Sequence, residues 1–328
     1  MTSKTTETIL VTGGAGFIGS HTCKALAQAG MVPVTLDNLV NGHRSAVKWG
    51  PLTVGDINDH ACLARVMRQY QPTAVIHFAA YASVGESMTD PGKYYRNNMA
   101  GSLSLLEAMR DFGVKDLVFS STAAVYGIPS RSPIPEDHPL NPINPYGWSK
   151  LMMERMMRDF AAAHGLRFIA LRYFNAAGGD PSSEIGERHD PETHLIPLVL
   201  DAAMGRRANV TIFGHDYPTL DGSCIRDYIH VSDLADAHLR ALHYLRAGGK
   251  EQAFNLGTGQ GYSVKEVVAA VQRITNKKVP AVIGPRREGD PPELVADPTR
   301  ARLILDWTPT RSSLDTIITH AWNFRRKT

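Results

Sequence analysis

This chain of 328 residues has few cysteines, a small net charge and no long apolar runs. The three cysteines, Cys23, Cys62 and Cys224, are far apart and form no Cys-x-x-Cys pair. That spacing indicates neither a disulfide framework nor a zinc site, so no metal is expected. A net charge of +3 without a basic stripe argues against a nucleic-acid partner.

The apolar content is also too interrupted for a membrane segment. No run approaches the ~20 consecutive apolar residues that a membrane helix needs. Only a short polar lead precedes the first apolar strand, which leaves no room for a signal peptide. A protein of the cytoplasm, without membrane partners, is the expectation.

What is present is an alternation of strand-like and helical patterns. Strands are predicted at 8–11, 32–36, 74–78, 117–120 and 168–171, and helices at 21–29, 61–69, 97–112 and 145–164. This order predicts an α/β fold, a Rossmann-type doubly wound parallel sheet with a smaller, loop-rich C-terminal substrate lobe. Residues 1–177 are predicted to form the first domain and 178–328 most of the second. The segment 225–245, with Ser232 as a helix N-cap, is expected to return to the first.

A glycine run lies directly after the first predicted strand. Thr12-Gly-Gly-Ala-Gly-Phe-Ile-Gly19 satisfies both Gly-x-Gly-x-x-Gly and Gly-x-x-Gly-x-x-Gly spacing and opens a helix. Amide groups at such a helix start bind the pyrophosphate of a dinucleotide. The cofactor residues predicted in this loop are Gly13, Gly16, Phe17, Ile18 and Gly19.

An acidic residue ends the second predicted strand. Asp37 stands at the separation from the glycine run at which a carboxylate accepts hydrogen bonds from the adenosine ribose hydroxyls. A carboxylate there would repel a 2′-phosphate, so NAD is favoured over NADP. Asn38 is assigned to the same site, and Asp56 and Ile57, after a third short strand, are placed to contact the adenine.

A tyrosine and a lysine four residues apart form the candidate catalytic pair. Tyr146 and Lys150 share one face of a predicted helix. An ammonium near the phenol, together with an oxidised nicotinamide, is expected to lower the phenol pKa from its ordinary value near ~10 and so make a base. Thr122, at the carboxyl end of a strand, is placed to relay a proton to Tyr146. Ser120 of that strand is assigned to the cofactor.

Further motifs follow one another in a fixed order. They are His77-Phe-Ala-Ala80, Val84-Gly-Glu-Ser87, Tyr94-Tyr95 with Asn97-Asn98, Leu171-Arg-Tyr-Phe-Asn175, Phe213-Gly with Asp216-Tyr-Pro218, Arg226-Asp-Tyr-Ile-His230, Asn255-Leu-Gly257 and Pro285-Arg-Arg-Glu-Gly-Asp290. With the glycine run and the Tyr-Lys pair, this set resembles the extended short-chain dehydrogenase/reductase family, from residue 8 to about 323. Within that family it is most similar to enzymes that epimerise nucleotide sugars at C4.

The resemblance implies a set of site residues. The implied catalytic triad is Thr122, Tyr146 and Lys150. Beyond the residues above, the implied NAD contacts are Phe78, Ala79, Ala80, Asn97 and Tyr173. Besides Thr122 and Tyr146, the implied contacts of a UDP-hexose substrate are Asn175, His194, Leu195, Phe213 at the uracil, Arg226 and Arg287 at the diphosphate, Asp290 and Leu294.

The resemblance also implies an activity, the interconversion of UDP-galactose and UDP-glucose through a transient 4-keto sugar with bound NAD. It implies a homodimer that pairs through the helix of Tyr146. That helix carries Met152, Met153, Met156 and Met157, and the sequence leaves open whether these are core or partner surface.

Two departures from the family pattern leave alternatives open. Ala82 stands where some relatives have a lysine, which implies weaker cofactor retention. Leu294 stands where a tyrosine closes the sugar pocket, so an epimerase of UDP-N-acetylglucosamine or UDP-glucuronate is an alternative. A nucleotide-sugar dehydratase is disfavoured because Ala123 and Ala124, not an acidic pair, follow Thr122. A protein of another functional class, a catalytically inactive dinucleotide-sensing regulator, is also an alternative.

Overall fold

The computed structural model describes residues 7–287 and 289–328. Its strands are β1 (Thr8–Thr12), β2 (Val32–Asp37), β3 (Leu52–Val54), β4 (Ala74–His77), β5 (Asp116–Thr122), β6 (Arg167–Tyr173), β7 (Asn175–Ala177), β8 (Val210–Phe213), β9 (Ile225–Arg226), β10 (Tyr228–His230), β11 (Gln252–Leu256), β12 (Tyr262–Ser263), β13 (Ala281–Gly284) and β14 (Glu293–Leu294). Its α-helices are α1 (Phe17–Gln28), α2 (His60–Tyr70), α3 (Val84–Thr89), α4 (Pro91–Tyr94), α5 (Ser102–Asp111), α6 (Pro145–His164), α7 (Leu195–Ala203), α8 (Val231–Arg246), α9 (Val264–Thr275), α10 (Thr299–Ile304) and α11 (Leu314–Arg325). Short 3-10 turns lie at Arg44–Ala46 and Ala123–Tyr126, and a π-helical segment at Tyr95–Gly101. None of the helices within the described residues combines the length and apolar content needed to cross a bilayer.

A seven-stranded sheet confirms the predicted fold class. Its strand order is β11-β6-β5-β4-β1-β2-β3, and the pairings of β1 with β2 and β4, of β2 with β3 and of β4 with β5 are parallel. β4 and β5 are buried along their whole length, as expected of strands covered on both faces. The order reverses at β1, which is the point where ligands bind in sheets of this kind.

The helix that carries the Tyr-Lys pair matches its prediction at both ends. The side chain of Asn144 accepts a hydrogen bond from the amide of Gly147 at 2.8 Å, and Pro145 occupies the first helical position. Gly165 ends the helix in the left-handed conformation that favours glycine. The bounds of α6 are therefore set by local signals, and the helix packs Met153 and Met157 into the core beside β5 and β6.

Three predicted helix starts are wrong, and the first is that of α1, which begins at Phe17 and not at residue 21. The helix predicted to begin at residue 97 is α-helical only from Ser102, because a π-helical segment precedes it. Ser232 does not cap α8, which begins one residue earlier. The ring nitrogen Nδ1 of His230 accepts the Ser232 amide at 3.0 Å and so takes the capping position that the sequence suggested for the serine.

The chain forms two compact units. The first contains the described residues up to Gly127, with Pro139–Arg172 and Ala235–Phe254, and the second contains Ile128–His138, Tyr173–Leu234 and the residues from Asn255 onward. In contrast to the predicted boundaries, the chain rejoins the first unit at Ala235 and stays there to Phe254. The segment Ile128–His138 groups with the second unit because it is anchored there, for example by the side-chain amide of Asn255, which donates to the Ile134 oxygen.

The second unit has small sheets and its own core. β9 pairs with β12 and β14, β8 with β13, and β7 with β10. Helices α7, α9 and α11 bury Val199, Val267, Val271 and Ile317 together. This core supports the loops that carry the residues predicted to contact the substrate.

Candidate active site

The glycine loop lies between β1 and α1 in the first unit. A Cβ on Gly19 would meet the oxygen of Gly13 at 2.2 Å, so only glycine lets the helix start pack against the loop. A Cβ on Gly16 would meet only the Gly13 oxygen, at 3.3 Å, and would otherwise project into open space. Gly16 is the N-cap residue and has no side chain to satisfy the first amides of α1, among them those of Phe17 and Ile18. This loop fits a phosphate that approaches the backbone closely.

Asp37 lies at the end of β2, next to the glycine loop. Its carboxylate accepts hydrogen bonds from the amides of Ala15 at 3.0 Å and Leu39 at 2.8 Å. Burial raises the pKa of Asp37, and these two donors offset part of that effect. Each oxygen keeps a second lone pair, so the carboxylate can still accept from two ribose hydroxyls. This hydrogen-bond acceptor fits an adenosine ribose without a 2′-phosphate.

The other predicted cofactor residues of the first unit lie at the ends of β2, β3, β4 and β5 or in the π-helical segment. Asn38 donates to Asp56 at 2.9 Å, and Ile57 is buried. The amide of Phe78 donates to the oxygen of Thr12, which holds 78–80 beside β1. The side chain of Asn97 donates to that of Asn98 at 3.0 Å. Tyr173 belongs to the second unit.

Tyr146 and Thr122 form one hydrogen-bonded pair. The phenol of Tyr146 is half-buried and is hydrogen-bonded to the side chain of Thr122. The Thr122 hydroxyl oxygen accepts the Ala124 amide at 3.1 Å, which leaves its proton for the phenol oxygen. Burial raises the pKa of Tyr146, and the Thr122 hydrogen bond lowers it only in part. Without the cofactor, desolvation of the phenolate therefore prevails, and the lowering expected with an oxidised nicotinamide bound stays a prediction.

Lys150 is buried one helical turn beyond Tyr146. Its Nζ donates to the main-chain oxygen of Ser120 at 2.8 Å and lies 4.9 Å from the centre of the Phe119 ring. Burial lowers the pKa of Lys150 to about 7. The amine thus titrates near neutral pH, and it regains charge wherever an anion or a hydroxyl-rich ligand replaces the lost water.

A buried ion pair that the sequence reasoning missed holds α6 against the sheet. Glu154 accepts two hydrogen bonds from Arg172, through Nε at 2.9 Å and Nη2 at 2.5 Å, and a third from Ser121 at 2.7 Å. Arg172 also donates to the phenol of Tyr126 at 3.0 Å. Ser121 precedes Thr122, so this network fixes the helix of Tyr146 relative to the strand of its partner. Glu154 follows Lys150 by four residues, which is the only sequence signal for it.

A second missed contact ties the same helix to the loop after β4. The side chain of Asn98 accepts from the Tyr81 amide at 2.9 Å and donates to the Tyr81 oxygen at 2.9 Å and to Ser149 at 3.1 Å. Asn98 is buried, so these bonds are shielded from water. The Asn97-Asn98 motif was visible in the sequence, but the helical phase that turns Asn98 inward depends on the π-helical segment.

In the second unit, two of the predicted anion-binding residues have partners. The guanidinium of Arg226 is hydrogen-bonded to the carboxylate of Asp290 and donates to the Ile225 oxygen at 2.6 Å. The guanidinium of Arg287 lies 4.0 Å from the centre of the Phe213 ring, at cation–π distance. All four residues belong to this unit, and a cavity of about 420 Å³ is lined by Arg287 and Asp290, with Tyr217 and Arg286.

The remaining predicted substrate residues occupy separate elements of the second unit. Asn175 begins β7 and donates to the Asp227 oxygen at 3.0 Å. His194 immediately precedes α7, and Leu195 is its first residue. Leu294 pairs with Arg226 across β14 and β9, so its side chain stands in the same sheet as the arginine. The structure thus links Leu294, Arg226 and Asp290 directly.

A doubly wound sheet, a glycine loop at its reversal point, a ribose-binding carboxylate and a Tyr-Lys pair define a dinucleotide-dependent enzyme. A family model described as "NAD dependent epimerase/dehydratase family" matches residues 9–257. The chain belongs to this family, and NAD is its cofactor.

Individual relatives agree with the family assignment over nearly the whole chain. A UDP-glucose 4-epimerase of Rhizobium leguminosarum bv. trifolii is 51% identical over 98% of this chain and 98% of its own. A crystal structure of UDP-glucose 4-epimerase from Brucella ovis in complex with NAD is 54% identical, covers 97% of this chain and 98% of its own, and has a TM-score of 0.95. A UDP-Glc/GlcNAc 4-epimerase of Campylobacter jejuni is 39% identical, with a TM-score of 0.86 over 98% of this chain and 100% of its own.

Proposed function

We propose that the protein is an isomerase that interconverts UDP-galactose and UDP-glucose through a transient 4-keto sugar, with NAD as a bound cofactor. The single observation that carries the proposal is the hydrogen-bonded pair of Tyr146 and Thr122, one helical turn from the buried Lys150. The identity of the relatives, over nearly the full chain, supports the same substrates.

Tyr146 is assigned the proton transfer at the sugar 4-hydroxyl. Its phenol oxygen takes that proton as the carbinol is oxidised and returns it when the ketone is reduced, so one group serves as base and acid. Thr122 donates to the phenol oxygen, which stabilises the phenolate. Lys150, held by the Ser120 oxygen, is assigned to ribose hydroxyls and to electrostatic support of the phenolate.

When bound, NAD supplies the hydride acceptor and donor of the two half-reactions. The residues assigned to hold it are those of the glycine loop, with Asp37 at the ribose. The network of Glu154, Arg172 and Ser121 is assigned a positioning role, because it fixes α6 against β5 and so sets the distance from Tyr146 to Thr122.

The second unit is assigned the nucleotide part of the substrate. Phe213 offers a ring face to the uracil, and the guanidinium groups of Arg226 and Arg287 suit diphosphate oxygens. The carboxylate of Asp290 accepts a hydrogen bond from Arg226, so a diphosphate oxygen would compete with it for that guanidinium. Because the substrate is anchored at its diphosphate, the hexose is free to rotate. That rotation is required for the hydride to return to the opposite face of the ketone.

Leu294 supports an additional activity on UDP-N-acetylglucosamine. A leucine beside Arg226 leaves more room than a tyrosine, and an acetamido group at C2 needs that room. Pocket changes of this size separate substrates by only ~1–3 kcal/mol. The enzyme is therefore expected to accept both sugars with a preference, as the name of the Campylobacter jejuni relative states for that protein.

A homodimer is part of the proposal. Of the methionines on α6, Met153 and Met157 are buried core, whereas Met152 is 36% exposed and lies on a helix that also exposes Trp148. Leu103 on α5, which packs beside α6, is exposed as well. An apolar surface on two neighbouring helices suits a self-complementary interface. Sedimentation of the purified protein tests this, and the expected cytoplasmic location stays a prediction.

The test of the proposed activity uses purified protein without added NAD or any oxidant. UDP-galactose is incubated with it, nucleotide sugars are resolved by chromatography, and dinucleotide released by denaturation is quantified. Formation of UDP-glucose to a fixed ratio, with about one NAD per chain, is expected. Release of no dinucleotide, or consumption of added NAD mole for mole with turnover, contradicts the proposal and favours the regulator or a dehydrogenase.

A further inference from the structure

Two histidines and two glutamates converge in the loop before α7. Glu187, His189, Glu192 and His194 each direct one ligand atom to a common point, and these atoms all lie within 4.8 Å of one another. Of these four residues only His194 is a predicted site residue, as a substrate contact, and the sequence predicts no metal. We infer that this Glu-x-His-x-x-Glu-x-His cluster is a binding site for one divalent transition metal ion of the Zn²⁺ type.

The spacing of the atoms suits tetrahedral coordination. Metal–ligand bonds near 2.1 Å in a tetrahedron place the ligand atoms about 3.4 Å apart. Nδ1 of His194 lies 3.0 Å from Glu187 and 3.1 Å from Glu192, and Nδ1 of His189 lies 3.5 Å and 3.7 Å from the same two carboxylates. These four separations bracket the required value, and the other two are no longer than 4.8 Å, so the side chains must still adjust to complete a tetrahedron.

The hydrogen bonds leave a nitrogen unsatisfied at the centre of the cluster. Nδ1 of His189 is buried and makes no hydrogen bond with the described residues, although it lies at ion-pair distance from Glu187 and Glu192. Oε2 of Glu192, a residue whose side chain is only 6% exposed, is also buried without a hydrogen bond. Buried polar atoms without partners are costly, and a metal ion would satisfy the nitrogen and neutralise the carboxylate.

The two carboxylates give the cluster a charge that a dication can cancel. Glu187 and Glu192 lie together with only 6% of each side chain exposed. The guanidinium of Arg325 lies 3.7 Å from Glu192 and already makes two hydrogen bonds, of 2.7 Å and 2.6 Å, with Asp201. One divalent ion bound by two neutral imidazoles cancels the two carboxylate charges, as one proton on each imidazole does without the ion.

The type of ligand atom and the solvent exposure of the cluster restrict which metal ion can bind. Imidazole nitrogens select Zn²⁺ and its neighbours over Mg²⁺ or Ca²⁺, which prefer oxygen ligands alone. The carboxylates lie inside, but His194 is 51% exposed, so the cluster is open to solvent on the histidine side. A bound ion would join residues 187–192 to the start of α7, because His194 directly precedes that helix. The competing occupant is a pair of protons, one on each histidine.

The experiment uses the full chain, stripped with a chelator and titrated with Zn²⁺ or Co²⁺ alone. Bound metal is counted by mass spectrometry after gel filtration, and visible absorption of Co²⁺ reports nitrogen and oxygen ligands. The three cysteines are buried and should not compete. His189→Asn and Glu192→Gln remove one ligand each without touching the residues assigned to substrate, and His164→Asn, at the exposed end of α6, is the matched histidine control.

One ion per chain is expected for the wild type and for His164→Asn, with at least about tenfold weaker binding in both ligand variants. Zn²⁺ should raise the melting temperature of the wild type and not that of Glu192→Gln. Absence of stoichiometric binding by the wild type, or binding that neither ligand variant weakens, overturns the site and assigns the cluster to protonated histidines. Because no readout depends on epimerisation, failure here is distinct from failure of the proposed function.

Discussion

The side-chain nitrogen of Lys150 lies 2.8 Å from the main-chain oxygen of Ser120, two residues before Thr122. One lysine therefore connects the helix of the candidate base to the strand that supplies its hydrogen-bond partner. Lys150 and Ser120 are both buried, so their contact affects both the geometry and the electrostatics of the Tyr146–Thr122 pair.

Tyr146→Phe should reduce turnover by ~10²-fold or more, the usual scale for loss of an acid–base group. Only the hydroxyl is removed, so the melting temperature, the bound NAD and the apparent affinity for UDP-galactose should change little. Initial rates by chromatography check this, with Tyr70→Phe, at the last position of α2 and not among the predicted site residues, as the matched control. Near-normal turnover in Tyr146→Phe would require another base.

Lys150→Met should change how stability depends on pH in cofactor-free protein. The unfolded lysine titrates near ~10.4, and burial lowers the pKa in the folded chain to about 7. Between these values the unfolded chain binds more protons, so the lysine's contribution to stability rises with pH across that window and is least favourable below it. Relative to wild type, the stability gain of the variant should therefore be largest at pH 6 and clearly smaller at pH 9.

Urea melts at the two pH values measure this difference. Lys115→Met, which removes an exposed lysine, is the control and should differ from wild type equally at both. A Lys150→Met variant whose stability relative to wild type does not fall with pH would show that the folded lysine has an ordinary pKa.

Arg172→Met should cost about 3–5 kcal/mol of unfolding free energy, because it leaves the buried carboxylate of Glu154 without its cation. The double variant Glu154→Leu with Arg172→Met removes both charges and should recover much of that loss. Denaturant unfolding provides the values. Arg155→Met, which breaks an exposed pair with Asp159, should cost only ~0.3–0.5 kcal/mol. Equal costs for the two single variants would contradict the buried pair.

Leu294→Tyr should suppress turnover of UDP-N-acetylglucosamine and spare that of UDP-galactose. The larger ring refills space beside Arg226, with an effect on selectivity of ~1–3 kcal/mol. Ratios of kcat/KM for the two sugars provide the test, with Leu294→Met as the control of similar volume. Equal loss on both sugars, or no N-acetyl activity in the wild type, would contradict this use of Leu294.

Local signals in the sequence were enough for the sheet, the glycine loop and α6. Asn144, Pro145 and Gly165 act within a few residues of the helix ends, so its bounds could be predicted. The buried pair of Glu154 and Arg172 could not, because residues 18 positions apart meet only when β6 lies beside α6.

Burial in the folded protein also determines the pKa values of the site residues. A Tyr-x-x-x-Lys pattern predicts proximity, but the directions of the Tyr146 and Lys150 pKa shifts depend on burial, which the pattern does not contain. The cluster of Glu187, His189, Glu192 and His194 did show a signal, four potential ligands within eight residues. Only the folded loop shows that their ligand atoms converge.

The most direct test of the account follows the hydrogen at C4 of the sugar. UDP-galactose carrying deuterium at C4 is incubated with the purified protein in ordinary water, and the UDP-glucose formed is analysed by mass spectrometry and NMR. Oxidation and reduction at C4 with a bound cofactor move that hydrogen as a hydride, which does not exchange with water, so the product should retain deuterium at C4. Loss of the label to solvent, or inversion without any cofactor in the protein, would contradict the account.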